Sequence, residues 1–396
     1  MLHYYRKLIE KSRSFCAAYL NIKRTDLFLI AAVIMVFMFI VVNRSCKAIN
    51  EPERTNIVIS SQYANLLGRN TADELIQEFE KLNPGLRIQE AAASNGKGGT
   101  GGTSGADIVF FDDGEFGSLI NAGALASPDS YRPLVSFMDL FLYNIDILKA
   151  ANLDRPPRTR ALFLAAARAV RDEAPDKGPV SAFALGLSPA DPSALRRDFY
   201  PWIWANGVDI HSIDLSGDNS ALPPAVTDVI SFLGALNREK LLAPGTFEKT
   251  GAQRLQEFAE GKIAMMTAST RDIAFLQNNA PGITFGITAL PAMTQGKNRL
   301  GLSTLYAGIS GAVPEEAVLF LSFLAEKSNV LAEALGAVPG KFPGGFAGEY
   351  IEKNELYAKA WDILEAADIV EYKPGEPSGE AFNRLIREQL VEALKD

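Results

Sequence analysis

The stretch of residues 56–89, NIVISSQYANLLGRNTADELIQEFEKLNPGLRIQ, contains the pattern that decides the fold. Residues 56–60 are β-branched at their centre and predict a buried strand. Residues 71–82 place apolar side chains on one helical face, behind a Thr-Ala-Asp-Glu start signal. The Asn-Pro-Gly of residues 83–85 stops this helix, and residues 86–89 alternate as a second strand. The stretch therefore predicts a strand, a helix and a second strand in succession.

The same rhythm continues along the chain. Residues 62–70 are predicted to form a loop, and the glycine-rich residues 94–105 a flexible surface loop. Residues 106–111, ADIVFF, predict a third buried strand, and residues 115–122 begin a helix. This alternation predicts a parallel sheet of the doubly wound α/β type. Ligands of such sheets bind at the carboxyl ends of the strands, so the loops after the first and third strands face the expected site.

The remainder of the chain is predicted to be mostly helical, with a few strands between the helices. Predicted helices cover residues 159–172, 223–239, 253–261, 314–325, 329–335, 358–366 and 380–395. Predicted strands cover residues 183–187, 263–267 and 283–289, and an irregular run follows to Ser303.

Composition excludes several classes of protein. The chain has 396 residues, 47% of them hydrophobic, and a formal net charge of -8. This apolar content can bury a sizeable core, and the acidic balance argues against nucleic acid as the main partner. Two cysteines, Cys16 and Cys46, cannot build a disulfide framework, and two histidines exclude a histidine-rich metal site. We therefore expect neither a metal nor a cofactor.

The N-terminal segment predicts the location of the protein. Residues 27–42 form an unbroken apolar run, preceded by a basic stretch that contains a single early acid, Glu10. By the positive-inside rule, residues 1–26 lie in the cytoplasm, 27–43 form a transmembrane anchor, and 44–55 are a linker on the outer side.

Three interpretations of this segment remain open. An uncleaved anchor is favoured, because the cytoplasmic stretch is long and the exit side lacks a small-residue cleavage pattern. Lipidation of Cys46 and cleavage after Ala48 are the alternatives. All three place the main domain outside the cytoplasm.

Six further segments occur in a recognisable order: residues 74–88 (ELIQEFEKLNPGLRI), 106–125 (ADIVFFDDGEFGSLINAGAL), 135–159 (VSFMDLFLYNIDILKAANLDRPPRT), 199–210 (FYPWIWANGVDI), 260–270 (EGKIAMMTAST) and 283–291 (ITFGITALP). In this order they resemble the extracellular solute-binding proteins of ATP-driven uptake systems, in particular the maltose-binding-protein-like group for sugars. The resemblance spans residues 56–396. It implies a periplasmic-binding-protein-like α/β fold of two lobes with a hinge between them, and a small solute, most often a sugar or oligosaccharide, held in the cleft.

Carried onto this chain, the resemblance places lobe 1 at residues 56–138 and 289–325, and lobe 2 at residues 139–288 and 326–396. The expected partners are the solute, the permease subunits of an ABC transporter, and the membrane through the N-terminal segment. Closure of the lobes on the ligand would present the closed form to the permease.

The candidate ligand-binding residues combine aromatic rings with polar groups, as a sugar site requires. They are Gln62, Tyr63 and Asn65 after the first strand, Phe111, Asp112, Asp113 and Glu115 after the third, the cluster Tyr200, Trp202, Trp204 and Asn206, and Ser303, Thr304 and Tyr306 after the last crossover. Each has a structural alternative: the tryptophans and Tyr63 could pack in a core, and Asp112 and Asp113 could cap a helix.

Arg271 marks a departure from the family pattern. After the MMTAST stretch the family often places an aromatic residue that stacks on the sugar, and this chain has Thr270, Arg271 and Asp272 there. Arg271 could clamp a carboxylate or phosphate, or could pair with an acid at the surface. A non-sugar anionic solute is therefore an alternative ligand.

The sequence gives little support for an enzyme. The exported part has no GxSxG or HExxH motif, and His211 is its single histidine. Paired carboxylates for glycoside hydrolysis remain available among Asp112, Asp113, Glu115 and Asp139. We expect a binding protein rather than an enzyme, with a membrane-tethered ligand sensor of the same fold as the alternative.

Overall fold

The computed structural model describes residues 35–36, 38, 54–61, 63–91, 105–113, 119, 122–125, 130–173, 180–191, 193–208, 222–293, 299–310, 315–339, 353–371 and 380–395. The chain divides into two compact units, Met1–Thr55 and Asn56–Asp396. The strands and helices of the fold belong to the second unit, apart from the first residue of one strand.

The strands are β1 (Thr55–Ile59), β2 (Leu86–Glu90), β3 (Ile108–Asp112), β4 (Tyr131–Asn144), β5 (Ser181–Ala184), β6 (Ile263–Ser269), β7 (Phe285–Thr288), β8 (Arg299–Ile309), β9 (Val338–Pro339) and β10 (Asp368–Glu371). The helices are α1 (Tyr63–Leu67), α2 (Arg69–Leu82), α3 (Ile145–Ala150), α4 (Arg160–Glu173), α5 (Ala194–Asp198), α6 (Tyr200–Ala205), α7 (Pro224–Arg238), α8 (Gly251–Ala259), α9 (Thr270–Asn279), α10 (Glu315–Glu326), α11 (Ser328–Leu335), α12 (Glu355–Glu365) and α13 (Glu380–Ala393).

Two long strands, β4 and β8, connect the two halves of the sheet. The order of the strands is β2-β1-β3-β8-β4-β6-β5, with β10 beside β8 and with β7 and β9 beside β4. The first part of β4 pairs with β8 as far as Met138, and its second part pairs with β6 from Asp139 and with β7 from Phe141. At its other edge β8 pairs with β3. One backbone therefore runs without a break from one half of the sheet into the other.

The sheet is mixed, whereas the sequence pattern predicts a parallel one. Parallel pairing joins β1 to β3, β5 to β6, and β8 to β10. Strands β4 and β8 are antiparallel to each other, and each also has an antiparallel neighbour. A parallel and a mixed sheet can have the same order of strands and helices along the chain. This order therefore does not reveal that β4 and β8 run through both halves of the sheet.

Separate hydrophobic cores form on the two halves of the sheet. The first core contains Ile57, Phe79, Phe137, Leu305 and Phe320, which come from β1, α2, β4, β8 and α10. The tryptophan core contains Phe141, Phe163, Phe183, Trp202 and Trp204. A further cluster packs α8, α9 and α12 against the second part of β4. Strand β4 contributes to all three, so the crossing strand is anchored on both sides.

Local sequence explains how the elements around β1 form. Helix α2 buries Ala72, Leu75 and Phe79, and their spacing of three and four residues turns one face to the first core. The predicted loop at residues 62–70 is wrong, because α1 occupies residues 63–67 and α2 begins at Arg69 rather than after Thr71. The apolar residues in this short segment pack into the first core, and this tertiary contact decides its conformation.

Helix α11 packs with the first core through Leu331, Ala332 and Leu335. The division predicted at residues 325 and 326 would place this helix in lobe 2. The first core also contains residues of α2 and α10, and the division between the lobes stays a prediction.

The predicted N-terminal elements, residues 1–26, 27–43 and 44–55, lie almost entirely outside the described residues. Within the described part of the chain, no helix is both long and apolar enough to cross a membrane.

Candidate functional site

A cavity of about 390 Å³ opens where the two halves of the sheet meet. From the elements that also build the first core, it is lined by Leu66, Phe110, Phe111, Asp112, Phe137, Ser303 and Leu305. From the other half it is lined by Asp139, Asp191, Ser193, Arg196, Arg197, Gly251, Ala252, Leu255, Met266, Ser269, Arg271 and Asp272. We call this space the cleft cavity. Its size falls at the lower end of small-molecule sites, which measure about 300 to 1,000 Å³.

An ion pair joins the two sides of the cleft cavity. Asp112 ends β3, and its Oδ2 lies 2.8 Å from Nη2 of Arg196 on α5. Both side chains are only partly exposed, so solvent screens the pair less than a fully exposed one. The contact therefore links an element of the first half to a helix of the second.

The neighbouring Arg197 points into its own half of the protein. Its guanidinium donates to Asp191 Oδ2 at 2.8 Å, to Asp198 Oδ2 at 3.0 Å and to the carbonyl oxygen of Gly186 at 2.9 Å. Burial acts to lower the pKa of Arg197, but the two carboxylates outweigh this effect and raise the pKa above its ordinary value. An ideal Cβ on Gly251 would lie 2.0 Å from Cζ of Arg197, so only glycine leaves room for this guanidinium. Arg197 thus fixes α5 in the orientation from which Arg196 reaches Asp112.

Arg271 occupies the wall of the cleft cavity at the start of α9. Its Cζ lies 4.1 Å from the centroid of the Phe137 ring, which is a cation–π contact. Burial lowers the pKa of Arg271, and the charges of Asp272 and Asp112 oppose this effect. Among the described residues, no hydrogen bond or ion pair engages its guanidinium. Its donors are therefore available to a solute.

Asp272, the next residue, is used by the protein itself. The backbone N–H of Ser269 donates to Asp272 Oδ2 at 2.7 Å, and the Ser269 hydroxyl lies 3.2 Å from the same oxygen. This is a capping box that satisfies the first turn of α9.

Asp139 is a buried acid at the point where β4 changes partners. It is 8% exposed, and among the described residues its Oδ2 has no hydrogen-bond partner. Burial raises the pKa of Asp139 well above its ordinary value, against the opposing charge of Arg196. An ideal Cβ on Gly301 would lie 2.3 Å from this Oδ2. The side chain therefore packs against the bare backbone of β8.

Asp113 lies just outside the cleft cavity, behind Asp112. Its Oδ2 accepts a hydrogen bond from the backbone N–H of Thr304 at 2.6 Å. Burial raises the pKa of Asp113 to about 7, while the Thr304 hydrogen bond and the charge of Arg196 act in the opposite direction. This carboxyl group ties β3 to β8 and does not line the cavity.

Four of the predicted site residues line the cleft cavity: Phe111, Asp112, Arg271 and Ser303. They come from three separate parts of the chain. The fold brings them together because β3, β8 and the start of α9 meet where the halves of the sheet join.

The predicted aromatic cluster does not line the cleft cavity. Trp202 and Trp204 are completely buried in the tryptophan core, where Trp202 packs against Phe141, Phe163 and Phe183. Tyr200 is also buried, and its hydroxyl donates to Asn383 on α13. Their apolar bulk is used to pack α6 against its own half. These rings therefore present no face to the cleft cavity in this structure.

Several other predicted site residues also have structural roles. Tyr63 is buried in the first core, with its ring 5.0 Å from that of Phe110. Thr304 is buried, and its hydroxyl lies 3.0 Å from that of Ser136. Tyr306 stacks on Phe111 at 5.6 Å, and Asn206 donates to Asp228 at 3.1 Å. These side chains are held by contacts within the protein.

The side chains of three predicted site residues lie outside the described part of the structure. Gln62 and Glu115 lie outside the described residues, and the described part of Asn65 is its backbone in α1.

Sequence reasoning missed Asp191, Ser193, Arg196 and Arg197. They follow β5, and the rule that ligands bind beyond the carboxyl ends of strands would have indicated them.

The chain belongs to the bacterial extracellular solute-binding proteins, whose family model matches residues 63–330. Members of this family bind solutes and are not enzymes, and membership places the domain outside the cytoplasm. A search of curated proteins found no match.

Solved structures agree on the fold, which is the α/β fold of periplasmic binding proteins. The cyclic α-maltosyl-1,6-maltose binding protein from Arthrobacter globiformis is 17% identical, with a TM-score of 0.64 over 87% of this chain and 96% of that one. The GacH receptor of Streptomyces glaucescens is 18% identical, with a TM-score of 0.64 over 86% and 93%. UgpB from Mycobacterium tuberculosis, in complex with glycerophosphocholine, is 18% identical, with a TM-score of 0.63 over 87% and 98%.

Proposed function

We propose that this protein is the solute-binding component of an ABC uptake transporter and that its solute is a sugar or a sugar derivative. The observation that carries the proposal is the cleft cavity, which draws its lining from both halves of the sheet. Its carboxylates, guanidinium groups and hydroxyls supply the acceptors and donors that a hydroxyl-rich ligand needs. Two of the similar proteins, the receptor that binds acarbose and the one that binds a cyclic maltosyl-maltose, favour the same ligand class.

The proposed mechanism is closure of two lobes around the solute. We assign residues 56–138 and 289–325 to lobe 1 and 139–288 and 326–396 to lobe 2. Helix α11 belongs to the second of these sets by sequence, and its buried side chains pack in the first core. Strands β4 and β8 support a hinge, because a continuous strand can bend while the cores on either side stay intact. A solute that contacts both lobes binds the closed state more tightly and shifts the population toward it. The closed form is then delivered to the permease subunits.

The proposed location follows from the N-terminal sequence. The apolar run of residues 27–42 and the basic residues before it favour a single-pass anchor, with residues 1–26 in the cytoplasm. The anchor would hold the binding domain beside the permease at the outer face of the membrane.

Thermal unfolding of the full-length chain in detergent, with a panel of sugars, polyols, amino acids and peptides, tests this proposal. A ligand that binds only the native state raises the midpoint by mass action. We expect sugars or sugar derivatives to raise it, and small-angle X-ray scattering to show a smaller radius of gyration with the same solutes. A response restricted to amino acids or peptides would contradict the sugar assignment, and binding without compaction would contradict closure.

A further inference from the structure

The aromatic residues of the cleft cavity offer a solute almost no ring surface. Phe110, Phe111 and Phe137 are 2%, 1% and 7% exposed. The Arg271 guanidinium also covers one face of the Phe137 ring, at 4.1 Å. A neutral sugar that stacks on a ring needs an open aromatic face. The described wall of the cleft cavity has the Arg271 guanidinium where an open aromatic face would be needed.

Most of the charged groups in the cavity wall already have protein partners. Arg196 pairs with Asp112, and Arg197 pairs with Asp191. Asp272 accepts from the backbone of its own helix.

Arg271 differs from these groups. Within the described residues it has the ring contact with Phe137 and no carboxylate partner. Stacking holds the planar guanidinium in place while its N–H donors stay free, which suits the bidentate binding of a carboxylate or phosphate. Such an arrangement is pre-organised for an anion, because few degrees of freedom remain to be lost on binding.

We propose that Arg271 binds an anionic group of the solute, so that the solute is a small sugar or polyol that carries a phosphate or a carboxylate. This inference rests on the proposed function, because it takes the cleft cavity as the solute site. The cavity volume of about 390 Å³ suits one or two small units rather than a long oligosaccharide.

Asp139 does not oppose this assignment. It faces the same cavity, but burial raises its pKa well above the ordinary value, which lessens the negative charge that it presents. A protonated carboxyl group can donate a hydrogen bond to an anion or to a hydroxyl group.

Isothermal titration calorimetry on the full-length chain in detergent tests the proposal with matched probes. The pairs are glucose against glucose 6-phosphate and glucuronate, and glycerol against glycerol 3-phosphate, with inorganic phosphate alone as a further probe. We expect an anionic member to bind at least about 10-fold more tightly than its neutral parent. Arg271→Gln should weaken binding of that anion roughly 10- to 100-fold, the usual value of a charge-assisted contact, and should leave the neutral parent unaffected.

Two further variants separate recognition from folding. Arg271→Lys keeps the charge but loses the planar fork, so its affinity for the anion should lie between those of the wild type and Arg271→Gln. Arg168→Gln, which removes an exposed guanidinium that pairs with Glu239 on the surface, is the matched control and should bind every probe as the wild type does. Circular dichroism and the melting midpoint without ligand establish that each variant is folded.

The outcomes distinguish this inference from the proposed function. Tight binding of neutral sugars that Arg271→Gln leaves unchanged would overturn the anion assignment and leave the transporter component intact. If inorganic phosphate binds as tightly as the sugar phosphate, the protein does not recognise the sugar or polyol part, and this part of the proposal is overturned. Absence of binding by every probe, neutral and anionic, would overturn both.

Discussion

Asp112 Oδ2 lies 2.8 Å from Arg196 Nη2, although the two residues are 84 positions apart in the chain. Asp112 ends β3 on the side of the first core, and Arg196 belongs to α5, which is anchored in the other half through Arg197. The ion pair therefore spans the cleft cavity. In the proposed mechanism, a contact of this kind would favour the closed arrangement of the lobes and would compete with any solute group that approaches either partner.

The first prediction concerns the strength of this ion pair. A double-mutant cycle of Asp112→Asn and Arg196→Gln should give a coupling free energy of about 0.5 to 1 kcal/mol, because both side chains are partly exposed. Urea unfolding of the wild type, the single variants and the double variant measures it. The surface pair Arg168 and Glu239 provides a matched cycle. Additive effects within error would show that Asp112 and Arg196 are not coupled in solution.

The second prediction concerns the close approach of β8 to its neighbours. A Cβ on Gly301 would lie 2.1 Å from Cζ3 of Trp204 and 2.3 Å from Oδ2 of Asp139. Gly301→Ala should therefore lower the free energy of unfolding by about 1 to 3 kcal/mol or more, as overpacking of a core does. Gly85→Ala is the control, because nothing lies within 4 Å of its Cβ position. Equal stability of the two variants in urea would contradict the packing.

The third prediction concerns pH. Burial raises the pKa of Asp113 from 3.8 in the unfolded chain to about 7, so between these values the folded state holds a proton that the unfolded state has lost. The free energy of unfolding should therefore fall as pH rises from about 4 to 7, by up to about 1.4 kcal/mol per pH unit from this group. Its contribution is constant above and below that window.

Asp113→Asn should flatten this decline, because the amide cannot ionise and its oxygen can still accept from Thr304. Guanidinium unfolding at several pH values between 4 and 8 measures the slope for both proteins. Asp154→Asn, at an exposed position, is the control that should keep the wild-type slope. Parallel profiles for Asp113→Asn and the wild type would refute the assignment.

The fourth prediction separates packing from binding in the tryptophans. Trp202 is completely buried among Phe141, Phe163 and Phe183, so Trp202→Ala should lower the free energy of unfolding by about 3 to 5 kcal/mol. Trp361→Ala, on α12, should cost less, because that side chain is only partly buried. Urea unfolding monitored by circular dichroism compares them. A stable Trp202→Ala variant whose only defect is weaker solute binding would restore the ligand-contact hypothesis.

Patterns within short windows predicted most of the secondary structure. The strand at Asn56 to Ser60 and the helix at Thr159 to Asp172 agree with β1 and α4 to within one residue at each end. Their signals are local: β-branched runs in the first case and apolar spacing with end signals in the second. The prediction failed for α1, whose five residues are too few to fold alone and form through packing in the first core.

The candidate site was only partly predictable for a related reason. Asp112 and Arg271 were identified, because a polar residue at the end of a strand and an arginine in place of an aromatic residue are visible in the sequence. Trp202 and Arg196 are only six positions apart in the chain, yet one is buried in a core and the other lines the cleft cavity. The sequence of this segment contains no periodicity long enough to tell which residue faces inward.

By itself, the sequence determined an α/β binding protein with an exported domain, since segment order and the apolar N-terminal run are properties of the linear chain. Only the tertiary structure decided which side chains line the cleft cavity. Strands β4 and β8 bring β3, α5 and α9 to one cavity, and this pairing joins Asp112, Arg196 and Arg271 across long stretches of chain. Such proximity depends on how distant strands pair and on which faces are buried, and neither is encoded in any short window.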